Sequence, residues 1–216
     1  MGQYTLADFR TRLNIATANR YAGDNATLDT WIHAGQIEVA TAIELECLKV
    51  CSYVKTASGI RRYTLPTNLL GIITIFDRTN KKKLIKTNSE DMNRFDRETT
   101  GYPKYWARVG EEVRFWPVPN GVYEMEMLWV KEPDKMTLAT DTTAMPATFD
   151  PAVHMFAVHH AKLDLGDDAS ALVWLERARA YMASRMMDED YEASRDTAPV
   201  RIITDITHLH NVDSSE

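Results

Sequence analysis

The chain has 216 residues, 44% of them hydrophobic and 26% charged, an ordinary globular balance with room for one cored domain, or one domain carrying an insertion. Its net charge of −6 and pI of about 5.6 exclude a protein that grips nucleic acid along most of its surface, because phosphates would be repelled. Two cysteines, Cys47 and Cys51, make no disulfide framework, and zinc would need two further ligands that no second CxxC or nearby His pair supplies.

The opening MGQYTLADFR lacks a basic start followed by an apolar run, and no stretch approaches the roughly 20 apolar residues of a membrane span. The expectation is a protein of a cytosol-like compartment, or of a particle assembled there, with both thiols reduced and half-buried. TLADFRTRLNIATANR (5–20) places Leu6, Phe9, Leu13 and Ile15 near helical spacing, with Thr5 as its cap. A loop, YAGDNA, precedes a second helix capped by Thr27 and running to about Cys47, with Leu28, Trp31, Ile32, Ile37, Val39, Ile43 and Leu45 on a broad apolar face.

The period then changes from helical to alternating. KVCSYVKT (49–56) and IRRYTLP (60–66) read as a hairpin around Ala57-Ser58-Gly59, and GIITIFD (71–77) and KLIKT (83–87) flank a polar turn. Asn88 caps a short helix, NSEDMNRFD. GYPKYWARVG, EVRFWPVP and VYEMEMLWVKEP complete an antiparallel meander to residue 133. Pro117 and Pro119 cannot donate to a ladder, so the end of their strand reads as an edge or a bulge. After a Thr/Ala/Pro-rich loop, Asp150-Pro151 has the form of a cap followed by proline at the first helical position. That helix ends at Gly166, and a last one runs from Asp167 or Asp168 to about Ala193, with Leu172, Leu175, Ala178 and Met182 as its inner stripe. VRIITDITHLHNVDSSE, after Pro199, reads as an extended arm.

The predicted fold class is α+β: a helical bundle built from both chain ends, with an inserted antiparallel β unit and an extended C-terminal arm. The expected divisions are 1–48 and 137–196 for the bundle, 49–136 for the β unit and 197–216 for the arm.

Candidate chemistry is sparse. His154, His159 and His160 share a helix, but offsets of five and six place their rings roughly 140° and 240° apart from the first, whereas zinc wants i,i+4. GxGxxG, GxxxxGK[ST] and GxSxG are absent from the sequence. Glu111, Glu112, Glu124 and Glu126 could act as acid and base, yet Glu124 and Glu126 share one strand face and read as its solvated side. Lys81-Lys82-Lys83 is the basic run, expected as a solvated turn. Tyr123, Met125, Met127 and Trp129 alternate with carboxylates rather than with the arginines and lysines of a base-stacking platform, so they read as core or as a face used against another protein. Catalytic residues, metal ligands and cofactors are therefore expected to be none.

One pattern goes beyond generic globularity. TWIHAGQIEVA is followed by YTLPTNLLGIITIF, then by GYPKYWARVGEEVRFWPVPNGVYEMEMLWVKEP, and the chain closes with MPATFDPAVHMFAVHHAKLDL and WLERARAYM. Over residues 27 to 185 this resembles the head-to-tail adaptor, or connector, proteins of tailed bacteriophages, through Tyr63, Leu65, Pro66, Gly101, Pro103, Trp106, Pro117, Pro119, Gly121 and Tyr123. The resemblance implies a structural virion protein without an active site, assembled in the host cytoplasm. It implies a homo-oligomeric ring, expected twelvefold, beneath the portal protein and above a downstream tail protein. Double-stranded DNA would pass through the lumen without sequence-specific binding, and no membrane is involved. In the arm, Val200, Arg201, Ile202, Ile203, Ile206 and Leu209 are the expected partner-binding residues, by strand addition or packing. A tail-attachment or tail-tube-like role is the near alternative. Two readings from other classes are a carboxylate enzyme, which requires a deep pocket around its glutamates, and a nucleic-acid or carbohydrate module using Trp106, Trp116 and Trp129.

Overall fold

Helix α1 (Leu6–Ala16) starts at the predicted cap. The Asp8 amide donates to the Thr5 hydroxyl at 3.2 Å and the Thr5 amide to the Asp8 carboxylate at 2.9 Å, a reciprocal capping box. The structure, a computed structural model, describes residues 3–43, 45–96 and 98–193. In α1, Leu6, Phe9 and Leu13 are buried, but Ile15, expected inside, is 70% exposed. It lies about 200° round the helix from Leu13. Ala18 and Asn19 take left-handed backbone angles and turn the chain. Helix α2 (Asn25–Ala42) is capped by Asp24 and not by Thr27. Thr27 sits three residues in, donating both its amide and its hydroxyl to the Asp24 carboxylate at 3.2 and 2.8 Å. The helix stops at Ala42, short of Cys47; Ile43 is extended and a 3-10 turn, Glu46–Leu48, leads into the sheets.

Among the described residues ten short strands follow: β1 (Lys49–Lys55), β2 (Arg62–Thr64), β3 (Leu69–Asp77), β4 (Lys82–Lys83), β5 (Ile85–Lys86), β6 (Thr100–Gly101), β7 (Tyr105–Val109), β8 (Glu112–Trp116), β9 (Val118–Pro119) and β10 (Glu124–Lys131). Helix α3 (Ser89–Arg94) interrupts them, capped by Asn88 as predicted. Two four-stranded sheets form, in the orders β1-β10-β3-β4 and β2-β8-β7-β5, with a two-stranded parallel ladder β6-β9 beside them. The β7–β8 and β3–β4 hairpins match the expected turns. The hairpin expected about Ala57-Ser58-Gly59 does not form: β1 pairs with β10, far along the chain, and β2 with β8. Nor is the meander continuous, because β8 and β10 belong to different sheets. Between them the chain passes through a cis Trp116–Pro117 bond and β9. Pro117 lies just past the end of β8 and Pro119 sits in β9, which pairs on one side only, with β6; both prolines are buried. One core joins the two sheets: Ile72, Ile75, Met125, Met127 and Trp129 from one, with Trp106, Val113 and Phe115 from the other.

The chain then returns to helices. Helix α4 (Asp150–Asp164) has Pro151 in its first turn, but Asp150 is not its cap; Phe149 holds that place. The Asp150 side chain is buried and turns elsewhere, accepting the Tyr4 amide at 2.6 Å and the Thr143 hydroxyl at 3.0 Å. Together with the Leu6 amide on the Asp141 carbonyl at 2.8 Å, this ties the start of α1 to the loop before α4. Gly166, in the left-handed region at φ +70°, ends α4 where the sequence predicts. Helix α5 (Asp168–Ala193) buries Ala171, Ala178 and Met182; Leu172, expected inside, is 54% exposed because it lies one residue off that stripe.

Contacts divide the chain into Met1–Cys47 with Pro133–Glu216, and Leu48–Glu132. The first is a helical unit made from both parts of the chain outside the insertion, the second the β unit, giving an α+β fold. In the helical unit α2 lies so close to α4 that a Cβ on Gly35 would sit 2.5 Å from the Val153 carbonyl oxygen.

Candidate interaction surfaces

Strand alternation sorts the side chains of β10. Met125, Met127 and Trp129 point into the shared core, and Glu124 and Glu126 point out, as the sequence predicts. Of the three tryptophans offered as a binding platform, Trp106 is 1% exposed and Trp129 is buried, with its indole N–H on the Ser52 hydroxyl at 3.1 Å. Trp116 stacks on Phe95 at 4.5 Å and donates to the Asp96 carbonyl at 2.8 Å. A stacking platform needs free ring faces; two of these rings are interior and the third is covered on one face. The residues that carry the adaptor resemblance are structural in the same sense. Leu65, Pro103, Trp106, Pro117 and Pro119 are buried, and the Tyr63 hydroxyl accepts the Ala57 amide and donates to the Ile60 carbonyl, both at 2.9 Å, which clamps the loop before β2.

The outer face of the β1-β10-β3 sheet carries a polar cluster that sequence reasoning missed. Register places Tyr53 opposite Glu126. Arg78, just past β3, pairs with the Glu126 carboxylate, reaches the Tyr53 hydroxyl at 3.4 Å, and stands over the Tyr53 ring at 5.7 Å. The Cys51 thiol donates to the other Glu126 oxygen at 3.3 Å. Desolvation, then the Glu126 carboxylate, push the Cys51 thiol above its ordinary pKa. A thiol held protonated is a poor nucleophile and a poor metal ligand. Both Cys51 and Cys47 are exposed rather than half-buried. The period-two spacing of residues 51 and 53 could have placed them on one face, but only the long-range register brings Glu126 and Arg78 beside them. Tyr53 is 58% exposed and Val54 and Lys55 are exposed on the same edge strand, so this face presents an aromatic ring and paired charges to solvent. Such a surface suits a polar, water-accessible protein contact.

A second patch centres on Tyr102. The ammonium groups of Lys82 and Lys104 lie 5.3 and 5.0 Å from its ring centroid. Lys81, Lys82 and Lys83 are all exposed, as expected of a solvated turn, with Lys81 in a left-handed conformation that makes the turn.

The other sequence candidates disperse. His154 is half-buried in the helical unit near Trp174, with ring centroids 6.3 Å apart. His159 engages the Ala171 carbonyl at 2.9 Å, and His160 faces Glu38 at 3.8 Å. Burial, then the Arg12 charge, lower the His154 pKa to about 4; burial lowers that of His160. Among the described residues no group of three or more His, Cys, Asp or Glu side chains could hold a metal ion. Glu111 and Glu124 are exposed, Glu112 pairs with Arg114 at 3.4 Å, and Glu126 is engaged by Arg78. Two surface depressions of about 320 and 460 Å³ lie in the helical unit, and neither is lined by these glutamates. Val200, Arg201, Ile202, Ile203, Ile206 and Leu209 lie outside the described residues. No described helix is long and apolar enough to cross a membrane.

A family model described as SU10 adaptor protein matches residues 4–203, a span that takes in both the helical unit and the β unit. No curated protein matches the chain.

Proposed function

The chain belongs to the SU10 adaptor protein family, a phage structural adaptor, and from that premise we propose that it forms a closed ring beneath the portal, joins the phage head to the tail, and extends the DNA channel. The observation that carries this reading is the length of the family match, residues 4–203, through both units. Three features support it. The aromatic and methionine residues of β8 and β10 build a core instead of a ligand platform. Glu111 and Glu124 are exposed, and Glu112 and Glu126 are half-buried and each paired with an arginine. Both sheets present exposed polar surface on which copies or partners can dock. In this reading the arm residues Val200, Arg201, Ile202, Ile203, Ile206 and Leu209 bind the portal or a neighbouring copy. Double-stranded DNA passes through the lumen without sequence-specific contact, and the protein resides at the head-tail interface of the virion.

Solution mass with and without a candidate portal ring tests this. Light scattering should give a ring mass for the full chain, alone or only with portal present, and a chain ending at Pro199 should bind portal far more weakly. A full chain that stays monomeric beside portal, with no measurable affinity for it, would overturn the reading.

A further inference from the structure

Strand β1 ends its sheet and pairs on one side only, with β10. At seven residues it is the longest strand with a single partner among the described residues; β2 has three, and β4, β5, β6 and β9 have two each. The Thr56 amide donates to the Tyr123 carbonyl at 2.9 Å, one residue beyond the Lys55–Glu124 pair that ends the β1–β10 register. Antiparallel bonding alternates, so Val50, Ser52 and Val54 exchange bonds with β10, and the backbone groups of Cys51, Tyr53 and Lys55 point away from it. Among the described residues those three backbones have no hydrogen-bond partner on that side. Such a row is a template for a further strand.

The inner side of the same edge is incompletely covered. Val50 packs on the shared core yet is half-buried, and Val54, opposite buried Met125, is 38% exposed. Ser52 lies between them and accepts the Trp129 indole N–H. Even positions of β1 therefore face the core. Cys51, Tyr53 and Lys55 face out and are exposed. Lysines at both ends, Lys49 and Lys55, guard the strand against indiscriminate pairing, while residues 50–54 carry no charge.

The chain holds a segment that fits this edge. Helix α5 ends at Ala193 and 23 residues follow, 216 less 193. Within them VRIITDI (200–206) has five β-branched residues in seven and neither Gly nor Pro. In a strand, Val200, Ile202, Thr204 and Ile206 share one face, and Arg201, Ile203 and Asp205 the other. Turned inward, the first face gives aliphatic cover to Val50 and Val54. The second face then brings Asp205 to a lysine whichever way the added strand runs, Lys49 if antiparallel and Lys55 if parallel. Pattern, length and charge thus agree on one occupant.

We infer that residues 200–206 of a neighbouring copy add to the open edge of β1 as a further strand. The edge and the segment are both in this chain; the choice of a neighbouring copy rests on the adaptor reading. A strand passed from one copy to the next is a heterologous contact, and such contacts repeat around a ring when the rotation between copies permits.

The test uses the full chain with Cys47→Ser, which leaves Cys51 as the native thiol on the outer face of β1. Arg201→Cys, Ile202→Cys, Ile203→Cys, Thr204→Cys and Asp205→Cys are made one at a time. Isotopically light and heavy copies are mixed under conditions of assembly, oxidised with diamide, and their disulfides identified by mass spectrometry. Light-to-heavy links to Cys51 should form from position 201, 203 or 205. They should be about tenfold or more weaker from 202 and 204, because only side chains on one face of a paired ladder come within disulfide reach. In parallel, Ile202→Lys with Ile206→Lys should weaken self-association by about tenfold or more, since two charges would be turned onto the apolar side, while the circular dichroism matches wild type. Links without alternation, links confined to one copy, links between two arms only, or a double variant that associates like wild type would overturn the inference. A ring on the portal without any link to Cys51 defeats this inference alone. Alternating links between copies that form no ring on the portal support the strand pairing and defeat the adaptor reading. Protein that never associates, with or without portal, defeats both.

Discussion

Gly35 and His154 show how single residues set the limits of the helical unit. A methyl group at Gly35 would lie 2.5 Å from the Val153 carbonyl oxygen and 3.0 Å from the Ala157 nitrogen, both backbone atoms that cannot turn aside. Gly35→Ala should therefore cost about 1–3 kcal/mol by overpacking, read as a lower urea midpoint; an unchanged midpoint would show that α2 and α4 can part without loss. His154 is held neutral by burial and by Arg12, with its pKa lowered from 6.5 to about 4. His160 is shifted the same way, opposed by Glu38 and Asp164. Above pH 6.5 His154 is neutral folded or unfolded, and its contribution to stability is complete. As pH falls from 6.5 toward 4 the unfolded chain takes the proton first and stability is lost, by about 3 kcal/mol in all. Urea unfolding across that window should show wild type losing more stability than His154→Leu. Equal slopes would contradict the assignment. Residue-scale reading of the sequence succeeded where chemistry is local, as at Thr5, Asn88 and Gly166. It failed at Thr27 and Asp150 because a carboxylate can serve a neighbour instead of its own position: Asp24 took the cap from Thr27, and Asp150 bonds Tyr4 and Thr143.

Among elements, strands were legible and their partners were not. Alternation in β8 and β10 correctly turns Phe115, Met125, Met127 and Trp129 inward, since side-chain period is a property of the strand itself. Pairing is a property of two strands. The ladder that sets Lys49 opposite Val130 joins segments with the whole β unit between them, and nothing local in either run specifies it. The same long-range register creates the Cys51–Tyr53–Arg78–Glu126 cluster, which is why that surface could not be read from sequence. The core and the outer face should respond differently to truncation. Phe115→Ala should destabilise the β unit by about 3–5 kcal/mol. Tyr53→Ala, exposed and lightly engaged, should change stability by no more than about 0.5 kcal/mol. Chemical denaturation of the two variants tests this, and comparable losses would mean that the outer face carries structural weight.

For the whole molecule, charge is informative only after the fold divides it. Read from the whole sequence, a net −6 suits a channel wall past which DNA slides without sticking. Residues Leu48–Glu132 hold 15 Lys and Arg against 10 Asp and Glu, and the rest of the chain 10 against 21, so the acidity lies outside the β unit. The central claim is tested most directly by negative-stain imaging of the chain mixed with a purified portal ring. The account predicts a closed ring of the chain, coaxial with the portal and on its tail-facing side, with an open lumen. Portal rings without added density, or with density off the axis, would contradict it.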